Sequence, residues 1–246
     1  MNLYLAGSMS TTIPEIRDAI KTQHPFILQS FATIDSSTTK LIPQMGDFLL
    51  DSGAFTFFSN CKKKMNWEKY IDDYANFIKE NRVTKFFELD IDSILGLERV
   101  EELRRTLEKK VGRPCIPVWH KSRGRKYFER MCREYPYISI GGIVSKEISR
   151  DEYRYFPWFI REAHRNGAKI HGLGFTSQEG IRKYHFDSVD STSWLSGCRF
   201  GGLDLFDGRK IVRITKEGRM MKDLNRVRVH NFKEWIKYQS YVRDSL

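Results

Sequence analysis

The chain has 246 residues and a mass of 29.1 kDa, with 40% hydrophobic and 30% charged positions. This composition predicts one folded domain with a sizeable core and excludes a disordered basic tail, which would lack the apolar area to offset its ordering entropy. Lysine and arginine outnumber aspartate and glutamate by eleven, and the sequence pI is about 9.5. We therefore expect a polyanionic partner such as a nucleic acid.

The apolar runs and the cysteines indicate in which cellular compartment the protein works. No apolar run approaches the roughly 20 residues that span a bilayer, and the opening residues lack the basic and apolar regions of a signal peptide. We therefore expect a cytoplasmic protein with no membrane partner. The cysteines include no C-x-x-C pair, so we expect reduced thiols rather than a zinc knuckle or a disulfide framework.

The positive charge is concentrated in two segments. Residues 121–133 hold six basic residues and one acidic residue, and residues 199–246 hold twelve basic and six acidic residues. Such runs are common on solvated helix faces, but here the C-terminal cations alternate with aliphatic residues, as on a folded surface that follows phosphates. The side chains that we expect to contact nucleic acid are Lys121, Arg123, Arg125, Lys126, Arg209, Lys210, Arg213, Arg219, Arg226 and Arg228.

Eight short apolar runs predict β-strands, in chain order at residues 3–6, 26–28, 48–50, 85–89, 116–119, 137–140, 169–173 and 188–189. Residues 31–46, rich in serine and threonine, predict a long loop. Apolar residues at helical spacing predict amphipathic helices over residues 67–78, 97–107 and 156–163, with Gly112 and Gly167 as stop signals for the last two. A final helix is predicted near residues 232–242.

Strands and helices that alternate in this number predict a TIM (β/α)8 barrel over residues 1–198. Residues 199–246 predict a short basic C-terminal extension packed on the barrel, with a turn region at residues 204–213. The alternative, an open doubly wound sheet, would need a glycine-rich phosphate loop early in the chain, and the segment LAGSMS is a poor match to one.

Polar residues and glycines follow most of the predicted strands, where a barrel brings reactive groups to one mouth. A single aspartate there is often a helix cap, a single histidine is often a core residue, and a glycine pair is often a bend. Aspartate and histidine side chains at strand ends can also bind a divalent metal ion. No H-x-H or H-x-x-x-H pair exists, however, so we expect no metal site. The strand-end residues are Asp51, Asp90, Asp92, His120, Gly141, Gly142, His171 and Asp190.

Two carboxylates that face each other across a pocket suit glycosidic chemistry, in which one attacks the sugar and the other handles the leaving group's proton. Four ordered motifs make a resemblance specific: DSGAF at residues 51–55, LDI at 89–91, ISIGGIV at 138–144 and IHGLGFTSQEGIRKYHFDSVDSTSW at 170–194. They resemble the tRNA-guanine transglycosylase superfamily. That family is a TIM barrel that exchanges a guanine in nucleic acid for a 7-deazaguanine.

The resemblance implies roles for the strand-end residues. It makes Asp190 the nucleophile that forms a covalent glycosyl-enzyme, and Asp51 the general acid/base. Asp90 matches the carboxylate that recognises the pyrimidine edge of guanine, with Asp92 as the alternative. The remaining matches are Phe55 and His171, which would sandwich the base, Gly141 and Gly142, whose amides would read its edge, and His120, which stands where the family has a glutamine.

The differences between this sequence and the family's pattern indicate which nucleic acid is the substrate. The tRNA enzymes carry a zinc site of three cysteines and a histidine, whereas only Cys198 and His230 follow Trp194 here. We therefore expect no zinc or other cofactor, and the chain resembles the compact branch that acts on DNA and includes phage enzymes, which would work in the host cytoplasm. The expected partners are DNA and a free 7-deazaguanine such as preQ0.

Three alternatives stay open. They are a tRNA base-exchange enzyme, a TIM-barrel nucleoside or glycoside hydrolase, and a non-catalytic nucleic-acid-binding barrel. The sequence also leaves the oligomeric state open, with a homodimer as one alternative.

Overall fold

The computed structural model describes residues 1–54, 66–200, 202–215 and 223–246, with the backbone alone for residues 198–200. Its centre is an eight-stranded parallel sheet, and each strand falls where the sequence predicts one. The strands are β1 (Asn2–Ala6), β2 (Phe26–Ser30), β3 (Asp47–Asp51), β4 (Lys85–Phe86), β5 (Val118–Trp119), β6 (Tyr137–Ile140), β7 (Lys169–Gly172) and β8 (Ser188–Ser191). Their order in the sheet is β4-β3-β2-β1-β8-β7-β6-β5.

The sheet is curled, and its two end strands, β4 and β5, approach each other. Phe87 and Ile116 form an isolated parallel bridge between them. Two backbone hydrogen bonds support this bridge: the amide of Ile116 donates to the carbonyl of Phe86 over 2.8 Å, and the amide of Glu88 donates to the carbonyl of Ile116 over 3.1 Å. The predicted α/β fold with a parallel sheet is confirmed, and its ends meet through one bridge rather than a continuous ladder.

Helices follow the strands along the described chain. The amphipathic helices predicted from residues 67, 97 and 156 onward are confirmed, and Gly112, in the left-handed region at φ 78°, ends the second of them. The helices are α1 (Pro14–Gln23), α2 (Ser36–Thr39), α3 (Trp67–Glu80), α4 (Asp92–Leu95), α5 (Leu97–Val111), α6 (Gly124–Glu134), α7 (Phe156–Arg165), α8 (Gln178–Lys183), α9 (Ser193–Phe200) and α10 (Leu224–Ser245).

The segment predicted as a long loop at residues 31–46 is partly helical, which corrects that prediction. It contains α2 and a 3-10 turn at Ile42–Gln44. The side chain of Asp35 accepts a hydrogen bond from the amide of Thr38 over 2.7 Å and so caps α2. The serines and threonines that suggested a loop therefore belong to a capped helical turn.

Side chains that alternate between the two faces of a strand contribute to two separate apolar cores. In β1, Tyr4 and Ala6 belong to the cluster inside the curled sheet, while Leu3 and Leu5 join the larger cluster beneath the helices. Successive side chains of a strand point to opposite faces, so β1 supplies both cores. The inner cluster comprises Tyr4, Ala6, Leu28, Leu49, Phe87, Ile116 and Val118.

The C-terminal residues form a hairpin and a long helix. Strands β9 (Gly202–Phe206) and β10 (Ile211–Thr215) pair in antiparallel fashion, so the turn predicted at residues 204–213 is confined to residues 207–210. The final helix, α10, is longer than predicted, and its Phe232 and Trp235 join the outer core. The predicted boundary at residue 198 falls inside α9. Within the described ranges, no helix combines the length and the apolar character needed to cross a membrane.

Gln239 of α10 is buried and holds the beginnings of two strands. Its side-chain amide donates to the carbonyl of Leu3 over 2.6 Å and to the carbonyl of Phe26 over 2.8 Å, and its oxygen accepts from the amide of Phe26 over 2.9 Å. One side chain thus satisfies three buried backbone groups, which would otherwise cost free energy.

We expect Gln239→Ala to lower the free energy of unfolding by about 2–4 kcal/mol, because it leaves these backbone groups without partners. Urea denaturation measures the change. Lys233→Ala, on the exposed part of the same helix, is the control and should change stability by less than about 0.5 kcal/mol. Equal effects of the two variants would contradict the assigned role of Gln239.

Candidate active site at the carboxyl ends of the strands

Three carboxylates meet at the carboxyl edge of the curled sheet. Asp51 is the last residue of β3, Asp190 lies near the end of β8, and Asp90 follows β4. The negative charges of Asp90 and Asp190 both act on Asp51 and raise its pKa. The structure therefore brings together the three aspartates that the sequence places after different strands.

Asp51 is half-buried and has a strongly perturbed carboxyl group. Its pKa is raised to about 7, mainly by burial and also by the charges of Asp90 and Asp190, while the hydrogen bond from the Gly53 amide, at 3.0 Å, acts in the opposite direction. Gly53 has φ 65°, and a Cβ there would lie 2.1 Å from Ser30 Oγ, so glycine is required at this turn. Near neutral pH this carboxyl group can both give and take a proton.

Asp190 is 5% exposed, and one of its two oxygens is held by protein donors. Oδ1 accepts a hydrogen bond from the amide of Gly174 and lies 3.2 Å from His171 Nε2. Among the described residues, no donor contacts Oδ2. The carboxylate is thus fixed by one oxygen and leaves the other available to a substrate.

His120 lies between two carboxylates. Its Nε2 is hydrogen bonded to Asp90 Oδ1, and its Nδ1 is 2.9 Å from Glu147 Oε2. Burial alone would lower the pKa of His120, but the hydrogen bonds and charges of Asp90 and Glu147 raise it to about 9. His120 is therefore an imidazolium at neutral pH. Sequence reasoning missed Glu147, whose only signal is a carboxylate in the loop after a glycine pair.

Gly141 and Gly142 pack beneath this trio. A Cβ at Gly141 would lie 2.9 Å from His120 Cε1, and a Cβ at Gly142, which has φ 78°, would lie 2.8 Å from Glu147 Oε2. The missing side chains make room for the His120–Glu147 pair at the end of β6.

His171 lies inside the curled sheet rather than at its mouth. It is 0% exposed, with the ring centroids of Tyr4 and Phe87 at 6.2 and 5.4 Å, and its Nδ1 is 2.5 Å from Ser188 Oγ. A base has no access to this ring, so the prediction that His171 stacks on the base is corrected. Phe55, the other predicted stacking residue, lies outside the described residues.

Asp92 and Arg123 form a buried ion pair that corrects two predictions. The Arg123 side chain is 1% exposed; its Nε and Nη2 donate to the two carboxylate oxygens of Asp92, each over 2.5 Å, and its Nη1 donates to Glu88 Oε1 over 2.9 Å. This arrangement leaves Arg123 unsuited to contact phosphates and Asp92 unsuited to read a base. The cause is Glu88, a fully buried carboxylate that also faces Arg104 at 3.3 Å.

The other predicted cations of the first basic segment are at the surface. Lys121 pairs with Glu152, and Arg125 pairs with Glu129 over 2.8 Å while lying 4.6 Å from the centroid of the Trp158 ring. Lys126 is exposed. Exposed pairs of this kind exchange readily with solvent and with phosphates.

Two of the C-terminal cations, Arg213 and Arg228, donate to groups elsewhere in the chain. Arg213 donates to both oxygens of the buried Asp204, over 2.7 and 3.0 Å, and Arg228 donates to Ser10 Oγ over 3.0 Å. Arg209, Lys210 and Arg226 are exposed, the first two on the β9–β10 turn, and Arg219 lies outside the described residues.

Within the described part of the chain, no group of three or more His, Cys, Asp or Glu side chains is arranged to hold a metal ion. Cys115 and Cys132 are buried free thiols, whereas Cys61 and the side chain of Cys198 lie outside the described residues.

We expect Arg123→Met to lower the free energy of unfolding by about 3–5 kcal/mol, because Asp92 would lose its guanidinium partner and Glu88 would lose one of its two counter-charges. Arg125→Met, a matched change two residues along at an exposed position, should cost less than about 1 kcal/mol. Chemical denaturation of both variants measures the difference. A small effect at Arg123 would show that its ion pairs are dispensable.

We expect Asp51→Asn to stabilise the protein at high pH. The folded protein holds the Asp51 proton up to a pKa of about 7, whereas an unfolded aspartate loses it near pH 3.9. Wild-type stability therefore falls as pH rises between about 4 and about 7, and the advantage of the variant grows over that range to roughly 1–2 kcal/mol, given the partial exposure of Asp51.

Denaturation of both proteins at four pH values, with exposed Asp18→Asn as the control, measures this advantage. An advantage of Asp51→Asn that does not change with pH would contradict the raised pKa.

No protein-family model matches the chain, and a comparison with curated proteins finds no match. The resemblance of the motifs to the transglycosylase superfamily therefore stays a prediction.

Proposed function

We propose that this protein is a DNA-guanine transglycosylase, which exchanges selected guanines in DNA for a free 7-deazaguanine base such as preQ0 in a (β/α)8 barrel. One observation carries the proposal. At one edge of the sheet, Asp51 has a pKa of about 7 while Asp190 presents an oxygen that no described protein donor contacts. A proton-exchanging carboxyl beside a fixed nucleophilic one is what base exchange at a sugar requires.

The reaction proceeds in two displacements. A lone pair of an Asp190 oxygen forms a bond to C1′ of the target nucleotide, the C1′–N9 bond breaks with its electrons going to guanine, and protonated Asp51 gives its proton to the departing base. The ionised Asp51 then takes the N9 proton of the incoming 7-deazaguanine. That nitrogen bonds to C1′, and the Asp190 carboxylate leaves, so protons and charge balance over the cycle.

Base recognition falls to the groups beside this pair. A guanine edge offers N–H donors beside an acceptor oxygen. Asp90 supplies an acceptor, and the His120 imidazolium, which Asp90 and Glu147 hold, supplies positive charge close to it. Gly141 and Gly142 let the backbone approach the base closely.

The exposed cations would hold the polymer. The target nucleotide must leave the base stack to reach this edge of the sheet, which costs a few kcal/mol in duplex DNA. Phosphate contacts from exposed basic side chains offset part of that cost. The available ones are Arg125, Lys126, Arg209, Lys210 and Arg226. The choice of DNA over tRNA rests on the sequence resemblance to the zinc-less branch, and the proposal involves no metal or redox cofactor.

We expect label from a radioactive 7-deazaguanine to enter duplex or single-stranded DNA, and Asp190→Ala and Asp51→Asn to lower incorporation by at least about 1,000-fold and 100-fold respectively. Scintillation counting of the precipitated polymer measures the rate. Asp18→Asn, on the exposed face of α1, is the control and should retain full activity.

The other outcomes separate the alternatives. Incorporation into tRNA alone would contradict the DNA assignment. Release of guanine or of a small sugar without incorporation, unaffected by neutralising Arg209 and Lys210, would indicate a hydrolase. Nucleic-acid binding with no turnover would indicate a non-catalytic barrel.

A further inference from the structure

A chain of polar side chains, which starts at the partly buried Tyr137 and is buried beyond it, runs through the interior of the curled sheet to Asp190. The hydroxyl of Tyr137, at the start of β6, is hydrogen bonded to Ser188 Oγ, at the start of β8. Ser188 Oγ is 2.5 Å from His171 Nδ1, and His171 Nε2 is 3.2 Å from Asp190 Oδ1. The chain therefore links the amino-terminal end of the sheet to the carboxylate at its opposite end.

The chain has one arrangement that satisfies every member with a neutral imidazole. An ionised carboxylate only accepts hydrogen bonds, so the proton of His171 must lie on Nε2 and point to Asp190. Nδ1 then carries a lone pair and accepts the Ser188 hydroxyl proton, and the Ser188 oxygen accepts from Tyr137. Asp190 can only accept, and this sets which group donates in every other hydrogen bond of the chain.

Packing fixes the imidazole ring in place. The ring centroids of Tyr4 of β1 and of Phe87 lie 6.2 and 5.4 Å from that of the imidazole, and Ser139 of β6 donates to the His171 carbonyl over 3.3 Å. Because the ring is 0% exposed, it cannot rotate to another partner without opening the inner core.

The amide of Gly174 donates a second hydrogen bond to Asp190. Gly174 has φ 71°, and a Cβ there would lie 2.2 Å from Val144 Cγ2, so glycine is the residue that can aim this N–H at Oδ1. Both protein donors thus act on the same oxygen.

We propose that His171, held in its Nε2–H form by Ser188 and Tyr137, is a positioning residue that directs Asp190 Oδ2 at the sugar; this rests on the proposed function. Oδ2 forms the bond to C1′ as the bond from C1′ to the base breaks. Oδ1 becomes the carbonyl oxygen of the resulting ester and keeps the hydrogen bonds from Gly174 and His171. No proton moves along the chain in this step.

The first experiment is independent of activity. Nitrogen NMR of the wild-type protein with isotope-labelled histidine reports which ring nitrogen of His171 carries the proton, and His171→Gln identifies its signals. We expect a protonated Nε2 and an unprotonated Nδ1. A proton on Nδ1 alone, or on both nitrogens, would overturn the assigned hydrogen-bond chain whether or not the protein exchanges bases.

The second experiment measures the rate of covalent adduct formation with guanine-containing DNA. We expect His171→Leu to slow it about 100-fold through misplacement of Asp190. His171→Gln, whose side-chain amide restores a donor to Asp190, should recover most of that loss. The KM for the free base should not change, because His171 does not reach the mouth. His185→Leu, at an exposed position, serves as the control.

The outcomes separate the two proposals. A wild-type protein that forms no adduct would refute the base-exchange function, while the NMR result still decides the arrangement of the chain. Adduct formation at the wild-type rate in folded His171→Leu would refute the positioning role alone. Failure of folded His171→Gln to recover activity would refute it as well, since the restored donor would then be irrelevant.

Discussion

The mouth of this molecule is organised by the repulsion between carboxylates in a partly dehydrated space. Asp51, Asp90 and Asp190 arrive from separate strands, and a shared site cannot hold three negative charges without cost. The structure offsets each charge differently. Asp90 is neutralised by an imidazolium, Asp190 is held by an amide and a buried imidazole, and Asp51 is left to keep its proton up to a pKa of about 7. The proposed function gives a different chemical role to each of these three environments.

A second charge network lies beneath the first and keeps the region rigid. Glu88 accepts from the amide of Val118 over 2.7 Å and faces Arg104 and Arg123, so β5 and the loop after it are tied to the chain beyond β4. Burial raises the pKa of Glu88, while the two guanidinium groups lower it. Because β4 and β5 share only a single bridge, these side chains reinforce the place where the sheet has the fewest backbone hydrogen bonds.

The sequence predicted the eight strands, four of the ten described helices and the strand-end residues because apolar periodicity and parallel topology act locally and repeat. It could not tell which side of a fully buried strand a residue faces. In β7, Ile170 and His171 are both buried, so no alternation revealed that His171 points inward. The sequence also could not show that Arg123, which lies in a basic run, donates a hydrogen bond to the carboxylate of Glu88, 35 positions earlier. Such pairings depend on contacts between residues far apart in the sequence, and hydrophobic periodicity carries no information about those contacts.

The strand order has a consequence for how the chain acquires its structure. Strand β1 lies between β2 and β8, and Gln239 contacts the backbone of Leu3 from 236 positions away. During synthesis, the hydrogen bonds of Gln239 to the backbone of Leu3 and Phe26 can form only after residue 239 has been made. Non-local pairing of this kind slows folding and leaves strand edges open while the ribosome is still at work. Until β8 and α10 have been made, one edge of β1 and the carbonyl of Leu3 lack the partners that they have in the folded protein.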